Sequence, residues 1–443
     1  MSNNKLAQKF NARSLIIYSL PTIVMMFFNS TYGIVDGLFV SNFIGENALA
    51  GCNIAFPILL IAIAISAMMA TGSNALIGKY LGEGKDKEAK ELLSSIYIIA
   101  ILFGIMASIL IIIFANPLLS VMGANEVLLP YAREYLINWI PMLTFALLEF
   151  FTQSFFITAG KPHLGFIASI TGGITNIVLD YVFIVEFAMG IKGAAWATGI
   201  GIAVVGIFGL VYFSINRKGT LYFIKPRWNL KEIIQCFYNG ISEFVGCISG
   251  AITTVLFNII MMYIAGENGV TGMTVIIYVS GVLSSIFFGY IFGVSPIISY
   301  KYGAQAHDQL KLINSTSIKV ISIIGVLAMI LSIIFAKIAV GIFVSEQSPT
   351  FEITVVGFRI YSIAYLFMGF NIFISAMFTS LSNGTISAII SVSRTLVFIV
   401  VALLTLPFIF GINGVWFAIP IAELLGLIVS ITFFKKYKAK YNY

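Results

Sequence analysis

Five carboxylates stand where carboxylates are costly. Asp36, Glu149, Asp180, Glu243 and Glu423 all fall inside long apolar runs, and an ionisable side chain at membrane depth is expensive enough that its usual meaning is functional. Two of them keep polar company at helical spacing. Asn29, Tyr32 and Asp36 recur at i, i+3 and i+7 on one face of a helix, and Asn176 and Asp180 stand at i, i+4 on one face of another. Two carboxylates removed from water and set near one another cannot both stay charged without taking up a cation. With amide and phenol neighbours they could hold a proton or a sodium ion, and any titration would belong to the pair. Glu243, in Gly240-Ile-Ser-Glu-Phe244, and Glu149, one turn from Gln153, lie nearer the other membrane face, where they could line a cavity and attract cationic substrates. The abundant Met and Phe, as at Met25-Met26-Phe27-Phe28 and Met261-Met262, make adaptable cavity walls or lipid-facing filler.

The elements that must position these groups are membrane helices. The 443 residues are 59% hydrophobic and only 10% charged, against roughly 25% charged in a soluble domain, so lipid is the solvent for most of the chain. Runs of about 20 or more apolar residues predict twelve helices over 14–42, 53–79, 92–115, 131–158, 163–186, 193–214, 232–265, 271–299, 312–337, 352–380, 385–409 and 413–434. The first run contains Asp36 and exceeds the length of a signal-peptide core, which marks it as a retained helix. Lys and Arg divide 19 to 4 between alternate loops, which predicts both termini in the cytoplasm. The net charge of +7 is therefore topological and directed at anionic lipid rather than nucleic acid. The polar stretch 216–231 separates an N-lobe, 1–215, from a C-lobe, 232–443.

The lobes are copies. At an offset of 221 residues, Gly45-Glu46-Asn47 falls on Gly266-Glu267-Asn268, Gly72 on Gly293, Gly82 on Gly303, and Gly190-Ile191 on Gly411-Ile412, apparently without gaps. Six spans per copy is an even number, so both copies enter from one face and are related by a pseudo-two-fold axis along the membrane normal. Parallel repeats of this kind build secondary transporters with the substrate site at the repeat interface. The acids break the symmetry: Asp36 maps to Phe257 and Asp180 to Val401. Such asymmetry suits a coupling site better than a purely structural bundle. The run Gly72 to Lys79 has the wrong glycine spacing for a phosphate loop, and Tyr80 stands where Ser or Thr would bind magnesium, so the energy source is an ion gradient. His163 and His307 lie in predicted loops, and Cys52, Cys236 and Cys247 have no metal or redox spacing. Neither a resident cofactor, a metal nor an enzymatic site is expected.

Together these residues resemble the multidrug and toxic compound extrusion (MATE) family over nearly the whole chain. The resemblance is carried by Tyr32-Gly-Ile-Val-Asp36-Gly37, Lys79-Tyr-Leu-Gly-Glu-Gly84, Asn176-Ile-Val-Leu-Asp180 and Gly193-Ala-Ala-Trp-Ala-Thr198. Ser242-Glu243-Phe244 looks like the bacterial MepA-like branch. The resemblance implies a V-shaped pair of lobes with an N-lobe polar cluster for the coupling ion, whose members here are Asn29, Tyr32, Asp36, Gln153, Asn176, Asp180 and Thr198. Glu149, Gln153 and Glu243 are the expected substrate-binding residues. Some relatives couple through C-lobe acids instead; Glu243 matches one such position, but the tenth helix offers only Asn371.

The expectation is an all-α protein of a bacterial cytoplasmic membrane, a monomer embedded in lipid, exchanging protons or sodium for amphipathic organic cations. A lipid-linked glycan flippase of the same superfamily is the alternative. Such relatives commonly have additional helices and basic cavities, whereas the buried charges here are mainly acidic. A membrane-embedded enzyme or sensor ranks last, because no catalytic constellation is visible.

Overall fold

The structure, a computed structural model, describes residues 5–443, apart from the side chains at 34, 37, 38, 41, 42 and 46. Glu46 of the repeated Gly-Glu-Asn motif is therefore outside the described side chains. The described residues form helices joined by short turns, with no strand among them. Among the described residues, eleven helices are long and apolar enough to cross a membrane. One of them, Ile241–Gly303, has 63 residues, a length of about 95 Å at 1.5 Å per residue. That is three times the hydrocarbon thickness of a bilayer. It is divided at Gly266, whose φ of 61° and ψ of −153° no helix adopts, so twelve spans result. They are α1 Ala12–Phe43, α2 Glu46–Gly82, α3 Asp86–Ile113, α4 Leu129–Thr158, α5 Pro162–Glu186, α6 Ile191–Ile215, α7 241–265, α8 267–303, α9 His307–Ile334, α10 Pro349–Ser380, α11 Gly384–Phe410 and α12 Ile412–Tyr441.

The duplication is written into the backbone. Gly190 and Gly411, which open α6 and α12, have φ/ψ of 62°/−142° and 55°/−135°, a region open only to glycine. The helices α3 and α9 begin and end 221 residues apart, as do the ends of α2 and α8. The register nevertheless slips. Gly160 after α4 has its left-handed counterpart at Ser382 after α10, an offset of 222, and α5 and α11 start 222 apart. The offset returns to 221 at Gly190 and Gly411. A gap-free repeat is thus corrected to one with a residue gained before the end of α10 and lost along α11. In the shifted register Glu149 pairs with Asn371 and Gln153 with Ser375.

The lobes meet closely at one end only, the end that carries the residues joining them. A Cβ on Gly82 would run into the Tyr300 carbonyl, and a Cβ on Gly303 into the Lys79 carbonyl. These two contacts are images of one another, since 82 and 303, and 79 and 300, are repeat partners. Gly72 against Gly240 and Gly293 against Ser19 form a second such pair. Gly78 faces its own repeat partner, Ser299, with 2.9 Å between the two Cβ positions, and so lies on the pseudo-axis. Small residues let helix backbones touch where lipid supplies no hydrophobic drive for association. Farther along the same helices the lobes part: Gly33 and Gly250 meet nothing within 4 Å, and Gly281 meets only the Ser30 hydroxyl at 3.9 Å.

Each lobe also sends its leading segment across to the other. Leu6, Phe10 and Tyr18 are buried in the apolar cluster of the C-lobe. The Phe10 amide donates to Gln309 Oε1 at 2.7 Å, and Lys301 Nζ donates to the Ala7 and Gln8 carbonyls at 3.1 and 2.8 Å. Reciprocally, the segment ahead of α7 docks on α3, where the Ile224 amide donates to Ser94 Oγ at 2.9 Å and the Arg227 amide to Ser95 Oγ at 3.1 Å.

Cysteines at both on-axis positions, Gly78→Cys with Ser299→Cys, should bond to each other when Cys52, Cys236 and Cys247 are replaced by alanine. The 2.9 Å separation is about 1 Å short of a relaxed disulfide's Cβ–Cβ distance, so slight easing of the helices suffices. Oxidation should stop transport and reductant should restore it, as read by vesicle uptake. Unimpaired transport by the fully cross-linked protein would show that this end need not open.

Candidate functional site

The polar residues of the N-lobe occupy two layers. The deep layer sits between α1, α5 and α6. Thr198 Oγ1 on α6 donates to Asp36 Oδ1 at 3.1 Å, and Asp180 and Asn176 on α5 stand beside Asp36. The α6 backbone comes in closely because residue 201 is glycine; a Cβ there would stand 2.7 Å from Asn176 Cβ. Directly after Asp180 the chain is π-helical over Tyr181–Glu186, a distortion common at functional sites.

This layer is unusual in what it leaves open. Asp180 is fully buried and Asn176 nearly so. Neither carboxylate oxygen of Asp180 and neither side-chain polar atom of Asn176 has a hydrogen-bond partner among the described residues, and the same holds for Asn29 Oδ1. A buried unpaired polar atom costs about 1–3 kcal/mol, and more when charged. Three such oxygens, two on Asp180 and one on Asn176 a helical turn away, stand beside a second carboxylate; a proton, a small cation or water would satisfy them, and water could also accept from the Asn176 amide. The sequence-based reading of this cluster did not include Tyr135 and Cys52, which also come within electrostatic reach of Asp36. Tyr135 is 99 residues from Asp36 and Cys52 lies on the following helix, and only α2 and α4 packing brings them in.

The second layer forms a wall of the space between the lobes. Asn29, Tyr32, Glu149 and Gln153 line a cavity of about 700 Å³ together with Glu243 and Arg394 from the C-lobe. Gln153 Nε2 donates to Glu149 Oε1 at 2.9 Å and to Ser169 Oγ at 3.2 Å. Tyr32 joins the layers: it lines the cavity and feels both Glu149 and Asp36. The seven residues expected at the ion site therefore divide, with Asp36, Asn176, Asp180 and Thr198 deep and Asn29, Tyr32 and Gln153 on the wall. Met25, Met26 and Phe288 supply apolar surface to the same cavity.

Two six-helix lobes about a pseudo-axis, a cavity between them and an acidic cluster in one lobe form the setting for comparison with known proteins. A sequence model of the MatE family matches residues 21–182 and 246–404, one match in each lobe. The chain belongs to the MatE family. Its members are membrane transporters rather than enzymes. Among curated relatives, the multidrug export protein MepA of Staphylococcus aureus (strain MSSA476) is 24% identical over 427 residues, covering 95% of this chain and 92% of the relative. MepA of Staphylococcus haemolyticus is 23% identical over 421 residues, covering 93% and 90%. Among solved structures, the outward-facing form of a multidrug resistance MATE transporter superposes with a TM-score of 0.92 at 22% identity, covering 98% of this chain and 97% of that one. A Vibrio cholerae MATE transporter superposes at 0.90 with 17% identity and 97% coverage of each. These likenesses establish the fold of this MatE chain as a multi-pass, twelve-helix membrane protein.

In this MatE chain the C-lobe acids follow a different pattern. Glu423 on α12 is buried and paired: Arg394 NH1 donates to its Oε1 at 2.5 Å, and Asn371 Nδ2 donates to its Oε2 at 2.7 Å. Ser430 Oγ completes the cluster by donating to Asn371 Oδ1 at 2.8 Å. A buried pair broken on one side leaves an uncompensated charge, a loss of about 3–5 kcal/mol. Glu423→Ala is therefore expected to lower the melting temperature of the detergent-solubilised protein sharply. Removing both charges, with Arg394→Met and Glu423→Gln together, should recover most of the loss. Equal melting temperatures for the single variant and the native protein would contradict the pairing.

Proposed function

We propose that this MatE protein is a cation-coupled antiporter of a bacterial cytoplasmic membrane that exports amphipathic organic cations, with Asp36 and Asp180 holding the coupling proton or sodium ion. The observation that carries the reading is the buried, unpartnered carboxylate of Asp180 beside Asp36, with orphaned Asn176 one turn away. A cation is the missing partner that removes the cost of the orphaned Asp180 and Asn176 oxygens at once. The printed names of the curated relatives, multidrug export proteins, support export of drug-like molecules. The cavity, with two acids and a mixed Met, Phe and amide lining, supports a substrate that is cationic and apolar together.

With the termini in the cytoplasm, as the loop charges imply, the glycine-lined contact closes the cytoplasmic end and the cavity faces outward. Cation uptake by the deep layer from outside would change the charge behind Tyr32 and Asn29, which share the cavity wall with Glu149. Coupling follows only if the cation and the substrate differ in affinity for the two lobe arrangements. Tyr32, on the cavity wall and within electrostatic reach of both Glu149 and Asp36, is the physical link between the two binding events.

Asp36→Asn and Asp180→Asn should each abolish efflux of a fluorescent organic cation from cells while membrane expression persists. Thr198→Ala removes one hydrogen bond to Asp36, a loss of about 1 kcal/mol, and should slow efflux only about fivefold. Full efflux by either aspartate variant would remove the deep layer from the mechanism.

A further inference from the structure

The two lobes treat one packing position in opposite ways. In the register that holds between α4 and the middle of α11, Arg394 stands where the N-lobe has Gly172; on α12, Gly426 stands where α6 has Val205. In the N-lobe there is no room for a side chain at 172, because a Cβ would stand 2.6 Å from the Gly201 carbonyl and 2.7 Å from Val205 Cγ2. In the C-lobe the sizes are exchanged. Gly426 leaves space for Arg394 and Asn371; a Cβ at 426 would stand 2.8 Å from Arg394 Cβ and 3.1 Å from Asn371 Nδ2. Arg394 also sits in a π-helical segment, Ser393–Val397, which takes its side chain out of α register.

The space so made holds a cation against the cavity. Glu423 is satisfied on both oxygens and its side chain is 4% exposed, while that of Arg394 is 12% exposed, reaches the cavity lining, and has an Nε without a partner among the described residues. Glu243 lines the same wall. Its helix is tied to that of Arg394 by Ser391 Oγ, which donates to the Ser242 carbonyl at 3.1 Å. The Glu243 side chain makes no hydrogen bond or ion pair among the described residues, yet it lies within the electrostatic reach of Arg394. The wall therefore presents one free carboxylate beside one fixed guanidinium whose own partner lies behind it.

We propose that Arg394 is a specificity-determining residue of the C-lobe wall, a tethered cation held on Glu423 that opposes substrate cations at Glu243 and so sets how strongly the cavity prefers cations to neutral molecules. This rests on the reading that the cavity takes organic cations. The two members of the pair then act with opposite sign. Loss of Glu423 frees Arg394 to pair with Glu243, which weakens cation binding. Loss of the whole pair unmasks Glu243, which strengthens it. At an effective dielectric of about 20, a unit charge about 12 Å away shifts affinity by about tenfold.

The test measures binding of tetraphenylphosphonium and of uncharged triphenylphosphine oxide to the purified full chain. Glu423→Gln should weaken the phosphonium about tenfold, and Arg394→Met with Glu423→Gln should tighten it about tenfold over the native protein. Adding Glu243→Gln to the double variant should erase that gain, and the phosphine oxide should be indifferent throughout. The double variant keeps the test sound if Glu423→Gln fails to fold. Unchanged phosphonium affinity in the double variant, or an equal shift for the neutral molecule, overturns this role for Arg394 alone. A native protein that binds the neutral molecule but no organic cation overturns the cation reading beneath it as well.

Discussion

The contact on which the rest of the molecule depends is the meeting of helix backbones around Gly78 and Ser299. In lipid the lobes gain nothing from burying apolar surface against each other, so they associate through close packing of small residues and through hydrogen bonds. Those small residues are concentrated at one end: Gly72, Gly78 and Gly82 on α2, Gly293 and Gly303 on α8, and Gly240 ahead of α7. Because they obey the repeat symmetry, one steric solution serves both lobes, and the interface is self-complementary in the way a two-fold dimer interface is. Two rigid bundles joined at one end must diverge at the other. The cavity, its access from the far end and the placing of both lobes' acids on its walls follow from that geometry. The crossed leading segments add polar ties that hold the same end, through Lys301 and Gln309 on one side and Ser94 and Ser95 on the other.

Within this scaffold the polar groups are resolved in two ways. The C-lobe pairs its deep acid within the protein, through Arg394, Asn371 and Ser430 acting on or through Glu423. The N-lobe leaves the side chains of Asp180 and Asn176 without hydrogen-bond partners among the described residues. A closed network rigidifies, whereas an open one is costly until something enters it. Under the proposed function, the lobe with orphaned ligands is the one that responds to a cation, and the lobe with its charges paired serves as a stable counterpart against which it moves. Both π-helical segments fall at these centres, one following Asp180 and one containing Arg394.

Much of this was legible in the residues themselves. Apolar length gave the spans, and the repeat offset gave the equivalence of Gly82 with Gly303. The expense of charge in lipid singled out Asp36, Asp180, Glu149, Glu243 and Glu423. What stayed hidden has physical causes. The residue lost between the repeats falls along the apolar helix α11, where Leu, Ile and Phe substitute for one another and a shift leaves no mark, and the one gained falls before α10, where the connections differ too much to show it. The pairing of Arg394 with Glu423 joins side chains 29 residues apart, and it depends on space at Gly426 that only packing shows. Tyr135 and Cys52 resemble ordinary core residues until the fold sets them beside Asp36. The crossing of the leading segments between lobes has no periodic signature at all.

Coupled exchange at the N-lobe carboxylates is tested most directly by counterflow in proteoliposomes. An outward gradient of an organic cation is imposed with no ion gradient, and proton and sodium movements are followed separately. Exchange at Asp36 and Asp180 predicts that substrate movement drives one of these ions the opposite way, against no pre-existing gradient. Substrate flux that moves neither ion would contradict it.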